Sequence, residues 1–255
     1  MLGLPSFLAA IAFYTRLPVP VSWALQFERV ACFAPTVGVL IGGLLALLDW
    51  GLAWLHLPPV SRSAVIVVVW IGVTGGLHLD GAIDAADGLA VPDAKRRLEV
   101  MTESTTGAFG VMAAGILLLL KTAALSDLQS YRWLILPVAA GWGRWSQQIA
   151  IFRYPYLKPT GKGAFHKAAI RSFWDTVPSL LLLLGLSALP LTMSVQLWPL
   201  SLGLYLGSSI AFLIAAWFAR QFGGHTGDTY GAVVEWTEAF ILVLLVIVQA
   251  EGGQF

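Results

Sequence analysis

Apolar residues in this chain run on segment after segment, apolar on every face, with the polar residues gathered between the runs. Seven runs, near 30–56, 62–88, 108–126, 131–152, 174–193, 195–218 and 229–250, are long enough to span a bilayer. A hydrocarbon core about 30 Å thick needs about 20 helical residues, so several have length to spare for tilt. Residues 2–15 are apolar but short, and Leu17-Pro18-Val19-Pro20 ends them, which predicts a re-entrant or interfacial helix. With no internal repeat, low-complexity tract or linker, the pattern predicts an all-α, polytopic integral membrane protein of about seven transmembrane helices, in one domain, 1–255.

Composition sharpens this. Of 255 residues, 58% are hydrophobic and 11% charged, against about 25% charged in soluble domains, so lipid is the expected solvent. The net charge of +1 argues against a nucleic-acid partner. A single cysteine, Cys32, excludes an internal disulfide and a Cys-based metal cluster. The N-terminus has neither the charged region nor the cleavage site of a signal peptide, so the chain is expected to be mature from Met1.

The cations set orientation. Arg16, Arg29, Lys95, Arg96, Arg97, Arg153, Lys158, Lys162, Lys167, Arg171 and Arg220 fall in alternate loops on one side, and only Arg62 and Arg132 on the other. That asymmetry places the first side in the cytoplasm. Lys121 and Arg144 lie inside spans. Lys121 is expected to snorkel outward, and Arg144 either to snorkel or to clamp a phosphate. The basic 153–171 loop suits contact with anionic membrane lipid.

Candidate chemistry gathers where the 62–88 run ends, in Gly75-Gly76-Leu77-His78-Leu79-Asp80-Gly81-Ala82-Ile83-Asp84-Ala85-Ala86-Asp87-Gly88. Asp80, Asp84 and Asp87, at i, i+4 and i+7, share one helix face. Each carboxylate costs roughly 2.5–3.5 kcal/mol at mid-membrane, and like charges so close raise one another's pKa. A divalent cation offsets both costs. Oxygen ligands without Cys or a His pair favour Mg²⁺ or Mn²⁺, and Mg²⁺ bridges carboxylates to a substrate phosphate. His78 stands within the same block as a substrate-binding candidate.

A second block, Gly223-Gly224-His225-Thr226-Gly227-Asp228-Thr229-Tyr230-Gly231, opens the last run. Gly224, just before a helix start, is placed for a phosphate cradle. Glu235 and Glu238 follow inside an apolar span, where carboxylates usually line a cavity. By the alternation of loops the 62–88 run ends, and the 229–250 run begins, at the cytoplasmic face, so the two blocks are expected to meet.

On these residues the chain resembles the cobalamin synthase family, the adenosylcobinamide-GDP ribazoletransferases. The matching pieces are Thr15-Arg16-Leu17-Pro18-Val19-Pro20, the Gly75–Leu89 block, Thr106-Gly107-Ala108-Phe109-Gly110, Gly143-Arg144-Trp145 and Gly223–Glu238, in family order over most of the chain. Where the family usually reads Met-Lys-Asp-Ser-Arg-Ile-Gly, this chain has Met101-Thr102-Glu103-Ser104-Thr105-Thr106-Gly107, losing two cations and keeping an acid at Glu103. The resemblance implies a Mg²⁺-dependent enzyme of the bacterial inner membrane. It would transfer the cobinamide phosphate of adenosylcobinamide-GDP to α-ribazole, or to α-ribazole 5′-phosphate, and release GMP.

For such a reaction the expected metal ligands are Asp80, Asp84, Asp87 and Asp228, with His225 as first choice for general base and Asp228 as second. His78, Glu103, Arg144, Gly224, Glu235 and Glu238 are the substrate-binding candidates. Two other readings stay open. Asp84-Ala85-Ala86-Asp87-Gly88 reproduces the opening Asp-x-x-Asp-Gly of CDP-alcohol phosphotransferases, although Val91-Pro92 stands where their Ala-Arg would follow. A cation-coupled transporter would also use intramembrane aspartates, but its sites usually sit mid-membrane between repeated halves.

Overall fold

The computed structural model describes residues 3–158 and 162–252. In chain order the α-helices are α1 (Leu4–Tyr14), α2 (Ala34–Trp54), α3 (Pro59–Thr74), α4 (Leu77–Leu89), α5 (Ala94–Val100) and α6 (Ala108–Asp127). They continue with α7 (Arg132–Arg153), α8 (Lys162–Ala169), α9 (Val177–Met193), α10 (Trp198–Phe222) and α11 (Gly227–Gly252). Among the described residues there is no β-sheet, only an isolated bridge between Tyr156 and His225.

α7 is the hub. It packs on α2, α10, α11 and α9, and every residue from Leu134 to Ile151 is buried. A helix enclosed by other helices has no need to be apolar all round, which explains how α7 carries Arg144, Gln147 and Gln148 inside the bundle. The outward faces of α2, α3, α6, α9 and α10 instead expose large apolar side chains such as Trp50, Val68, Leu119, Leu181 and Leu213. So much contiguous apolar surface fits a multi-pass membrane protein.

The expected span count is not matched element for element. Among the described residues four segments, Phe27–Trp54, Ala108–Asp127, Val195–Phe222 and Gly227–Glu251, are long and apolar enough to cross, and a fifth arises if α3 and α4 are counted together. α9 has 17 residues, and α1, at 11, is too short to span. α1 packs against the 27–33 segment and α2.

The expected 62–88 helix is two helices bent by 92°. Gly75 and Gly76 adopt φ of +63° and +72°, left-handed values that favour glycine. The Gly75 N–H donates to Gly72 O at 3.0 Å and the Gly76 N–H to Ile71 O at 2.9 Å, the paired bonds of a Schellman C-cap. The chain then re-enters a helix at Leu77 and swings α4 across α11.

Candidate active site

α4 and α11 cross on glycine. A Cβ on Gly81 would lie 2.4 Å from the Asp228 carbonyl oxygen, and one on Gly231 would lie 2.9 Å from that of His78. Only bare backbone permits this approach. It sets Asp80 and Asp84, which flank Gly81, beside Asp228 in the first turn of α11. There Asp228 also meets the positive end of the helix dipole. The α11 N-terminus is closed by Thr226 and Thr229: each backbone N–H donates to the other's hydroxyl, at 2.8 and 3.3 Å.

A cation reaches this corner from a loop. The Leu157 N–H donates to His225 O at 2.8 Å and the His225 N–H to Pro155 O at 2.9 Å, pinning 155–157 to the turn before α11. Lys158 follows directly, and its Nζ donates to Asp228 Oδ2 at 2.9 Å. Both side chains keep more than a quarter of their surface, 28% and 27%. Asp84 lies within electrostatic range of Asp80, Asp228, Lys158 and Asp87. Asp87 is anchored elsewhere: its Oδ2 and Oδ1 accept from the Gly107 and Gly110 N–H groups at 2.7 and 2.8 Å, capping α6.

Among the described residues no three His, Cys, Asp or Glu side chains converge on one metal position. The donor set nevertheless fits Mg²⁺, which keeps most of its waters and takes one or two carboxylates plus substrate phosphates. Asp80 is exposed and Asp84 half-buried, so both are accessible to such an ion.

Two cavities meet at Asp80. The larger, about 680 Å³, runs between the end of α1 and the α3–α4 bend, with Arg16 and Asp80 on its walls. The smaller, about 210 Å³, lies between α4 and α11 and is lined by His78, Gln147, His166, Asp228 and Tyr230 among others. Phe13, Leu77 and Asp80 line both.

The structure brings Asp80, Asp84, Asp228 and His78 together, and leaves other candidates apart. Arg144, Glu235 and Glu238 form an internal ion cluster with Lys121. Lys121 Nζ donates to Glu235 Oε2 at 2.5 Å and Glu238 Oε2 at 2.7 Å, and Arg144 Nη1 to Glu238 Oε1 at 2.7 Å. None of the four is more than 5% exposed. Lys121 therefore does not snorkel; its partners in α11 hold it inside, with the Trp70 ring 4.7 Å from its ammonium. Arg144, fully buried on Glu238, does not snorkel and lines neither cavity at Asp80.

His225 is also fully buried, with Nδ1 3.0 Å from the Thr229 hydroxyl and Nε2 3.2 Å from Ala215 O. Burial pushes its pKa down to about 4. Engaged at both nitrogens, it holds the turn rather than facing the carboxylates. Gly224 packs against Pro155 and Leu157, with 2.6 Å from a would-be Cβ to Pro155 O, so it forms no open cradle. Glu103 stays exposed in the α5–α6 loop and lines neither cavity. Sequence reasoning took Lys158 only as one cation of the basic 153–171 loop and missed Gln147, His166 and Tyr230 as site residues. Tyr230 stood in the second glycine block, whereas nothing local marked Gln147 or His166.

The family profile described as Cobalamin-5-phosphate synthase matches residues 6–246. Among curated relatives, the adenosylcobinamide-GDP ribazoletransferase of Trichormus variabilis is 57% identical over 241 residues, covering 94% of this chain and 96% of its own. Those of Synechocystis sp. and Thermosynechococcus vestitus are 48% and 51% identical, each over 94% of this chain and 94–95% of theirs. No solved structure matches the chain.

Proposed function

The chain belongs to the cobalamin-5-phosphate synthase family, transferases of cobalamin biosynthesis, and on that premise we propose that it joins the cobinamide phosphate of adenosylcobinamide-GDP to α-ribazole, or its 5′-phosphate, at the α4–α11 crossing. One observation carries the siting: Gly81 and Gly231 let two helices touch, setting Asp80 and Asp84 beside Asp228 where two cavities adjoin.

The larger cavity takes the diphosphate end of the donor, with Arg16 offering a positive charge on its wall. Asp80 and Asp84 would hold Mg²⁺, which when bound would supply charge neutralisation at the diphosphate. Asp228, reaching in from α11, accepts the proton of the ribose hydroxyl. The hydroxyl oxygen then bonds to the cobinamide-linked phosphorus, and the bond from that phosphorus to the oxygen of GMP breaks. GMP leaves without needing a proton near neutral pH. Lys158 holds Asp228 in place until substrate enters. Asp87, fixed on the α6 N-terminus, fixes α4 in turn. We place the reaction at the cytoplasmic face of the bacterial inner membrane, in line with the loop-charge asymmetry.

The test is GMP release by the purified protein in detergent with adenosylcobinamide-GDP and α-ribazole. Turnover should vanish with chelator and return with Mg²⁺. Asp84→Asn should lose more than the ~10–100-fold typical of a merely supporting residue, with its thermal unfolding unchanged. Full activity in that variant would remove the carboxylates from the reaction.

A further inference from the structure

The smaller cavity carries an assignment of its own. Three side chains on its wall bury polar atoms that have no hydrogen-bond partner: both ring nitrogens of His78, Oε1 of Gln147 and Oη of Tyr230. These residues are 1%, 4% and 1% exposed. Buried polar groups are ordinarily paired, so three orphaned side chains around one space mark a site whose partner arrives from outside.

The remaining walls say what kind of partner. Phe13, His78, His166 and Tyr230 contribute rings, which favour a planar ligand through stacking. Among the described residues no Lys or Arg lines the cavity, whereas Asp80 and Asp228 do, and Lys158 beside it is paired with Asp228, so the lining disfavours a phosphate. The larger cavity, with Arg16, does offer one. At about 210 Å³ the small cavity has room for a bicyclic base and none for a corrin ring.

Resting on the transferase reading above, we propose that this cavity is the acceptor subsite and takes the uncharged bicyclic heteroaromatic base of α-ribazole. The single free ring nitrogen of that base accepts from the Tyr230 hydroxyl or from a His78 N–H, a ribose hydroxyl donates to Gln147 Oε1, and the ribose points toward Asp228. The acceptor then enters between α4, α7 and α11, and the donor from the α1 side. The two meet at Asp80, the charged residue common to both cavities.

Gln147→Leu and Tyr230→Phe test this in the full-length protein in detergent, with α-ribazole itself as the probe. Each substitution removes an atom that lacks a partner in the unliganded protein, so neither variant should melt below the wild type. Each should weaken α-ribazole binding measured by calorimetry, and raise its KM, by about tenfold, the equivalent of one good hydrogen bond. The KM for adenosylcobinamide-GDP should stay as it is. A rise in donor KM with α-ribazole binding untouched, or no change in either, would overturn the subsite. A wild type that binds α-ribazole, loses that binding in both variants, and releases no GMP would sink the reaction while keeping the subsite. A wild type that turns over but binds α-ribazole no better than either variant would do the reverse.

Discussion

Two of the groups of charged side chains in this molecule, one interior and one at the α4–α11 crossing, differ less in composition than in balance and access. Inside the bundle, Lys121 and Arg144 face Glu235 and Glu238, two charges of each sign, none more than 5% exposed. Among the described residues at the α4–α11 crossing, Asp80, Asp84 and Asp228 meet one ammonium, Lys158, and the carboxylates are exposed or half-buried. A sealed and neutral set balances its own charge, even though Arg144 keeps Nε and Nη2 without a hydrogen-bond partner. An open set with surplus negative charge is incomplete until a cation joins it. From sequence alone the two sets look alike, because both are carboxylates within apolar runs.

The sharpest way to break this contrast is to unbalance the interior. Glu238→Ala leaves Lys121 with Glu235 alone and Arg144 with no carboxylate, both still buried. Removing one partner of a buried pair typically costs about 3–5 kcal/mol, so the variant should melt far below the wild type or fail to accumulate in membranes. Replacing all four residues by apolar ones of similar volume should recover most of that loss, since an uncharged core needs no pairing. If the fourfold variant folds but is inactive, the cluster has a chemical task. If it folds and turns over, the cluster is a scaffold. Thermal unfolding and GMP release on the same preparations decide between them.

Apolar runs made the long lipid-facing helices legible. α2, α6, α10 and α11 fall close to where the runs lie, because hydropathy reports contact with lipid. It is blind to φ, so Gly75-Gly76 read as part of one span although two adjacent glycines are also a turn signal. The three aspartates were placed on one helix face without the bend that aims them at α11. Lys121 was misplaced for another reason: its partners lie 114 and 117 residues away, and a long-range pair leaves no local trace. Asp80, Asp84 and Asp228 could be read from their spacing and glycine neighbours. Lys158 could not, since it is delivered by the bridge between Tyr156 and His225.

His225 stands at the seam between the two groups, close to the open one in sequence yet as sealed as the interior one. A general base there would lower the rate by roughly 10²–10⁴ on removal and flatten the acidic limb of the pH–rate profile. The geometry supports a different expectation. His225 is neutral in the fold, with its pKa pushed down to about 4 by burial, while in the unfolded chain it titrates near 6.5. Because the unfolded state binds the extra proton, this site's contribution is intact above about pH 6.5 and is lost as pH falls toward 4, by at most ~3 kcal/mol. His225→Gln should therefore lose part of the wild type's acid sensitivity between pH 7 and 5 in thermal unfolding, and keep its acidic rate limb. A flattened limb with unchanged melting would return His225 to the chemistry.

Lys158 bears little on stability, and it tests the open group directly. The ion pair with Asp228 is more than a quarter exposed on both sides, and exposed pairs contribute about 0–1 kcal/mol. Lys158→Met should therefore melt within about 1 kcal/mol of the wild type. Its electrostatic consequence is the opposite of the interior case. Lys158 is a positive charge within range of Asp84, so it opposes a cation at the carboxylates, and removing it should lower the Mg²⁺ concentration for half-maximal turnover by a few-fold. Raising ionic strength should shrink that difference, since the Debye length is only about 8 Å at physiological salt. Lys158→Arg, which keeps the charge, should resemble the wild type in metal dependence. A loss of several kcal/mol in Lys158→Met would place this pair with the interior cluster. A higher Mg²⁺ requirement would mean that Lys158 holds the substrate phosphate with the metal instead of standing in for it.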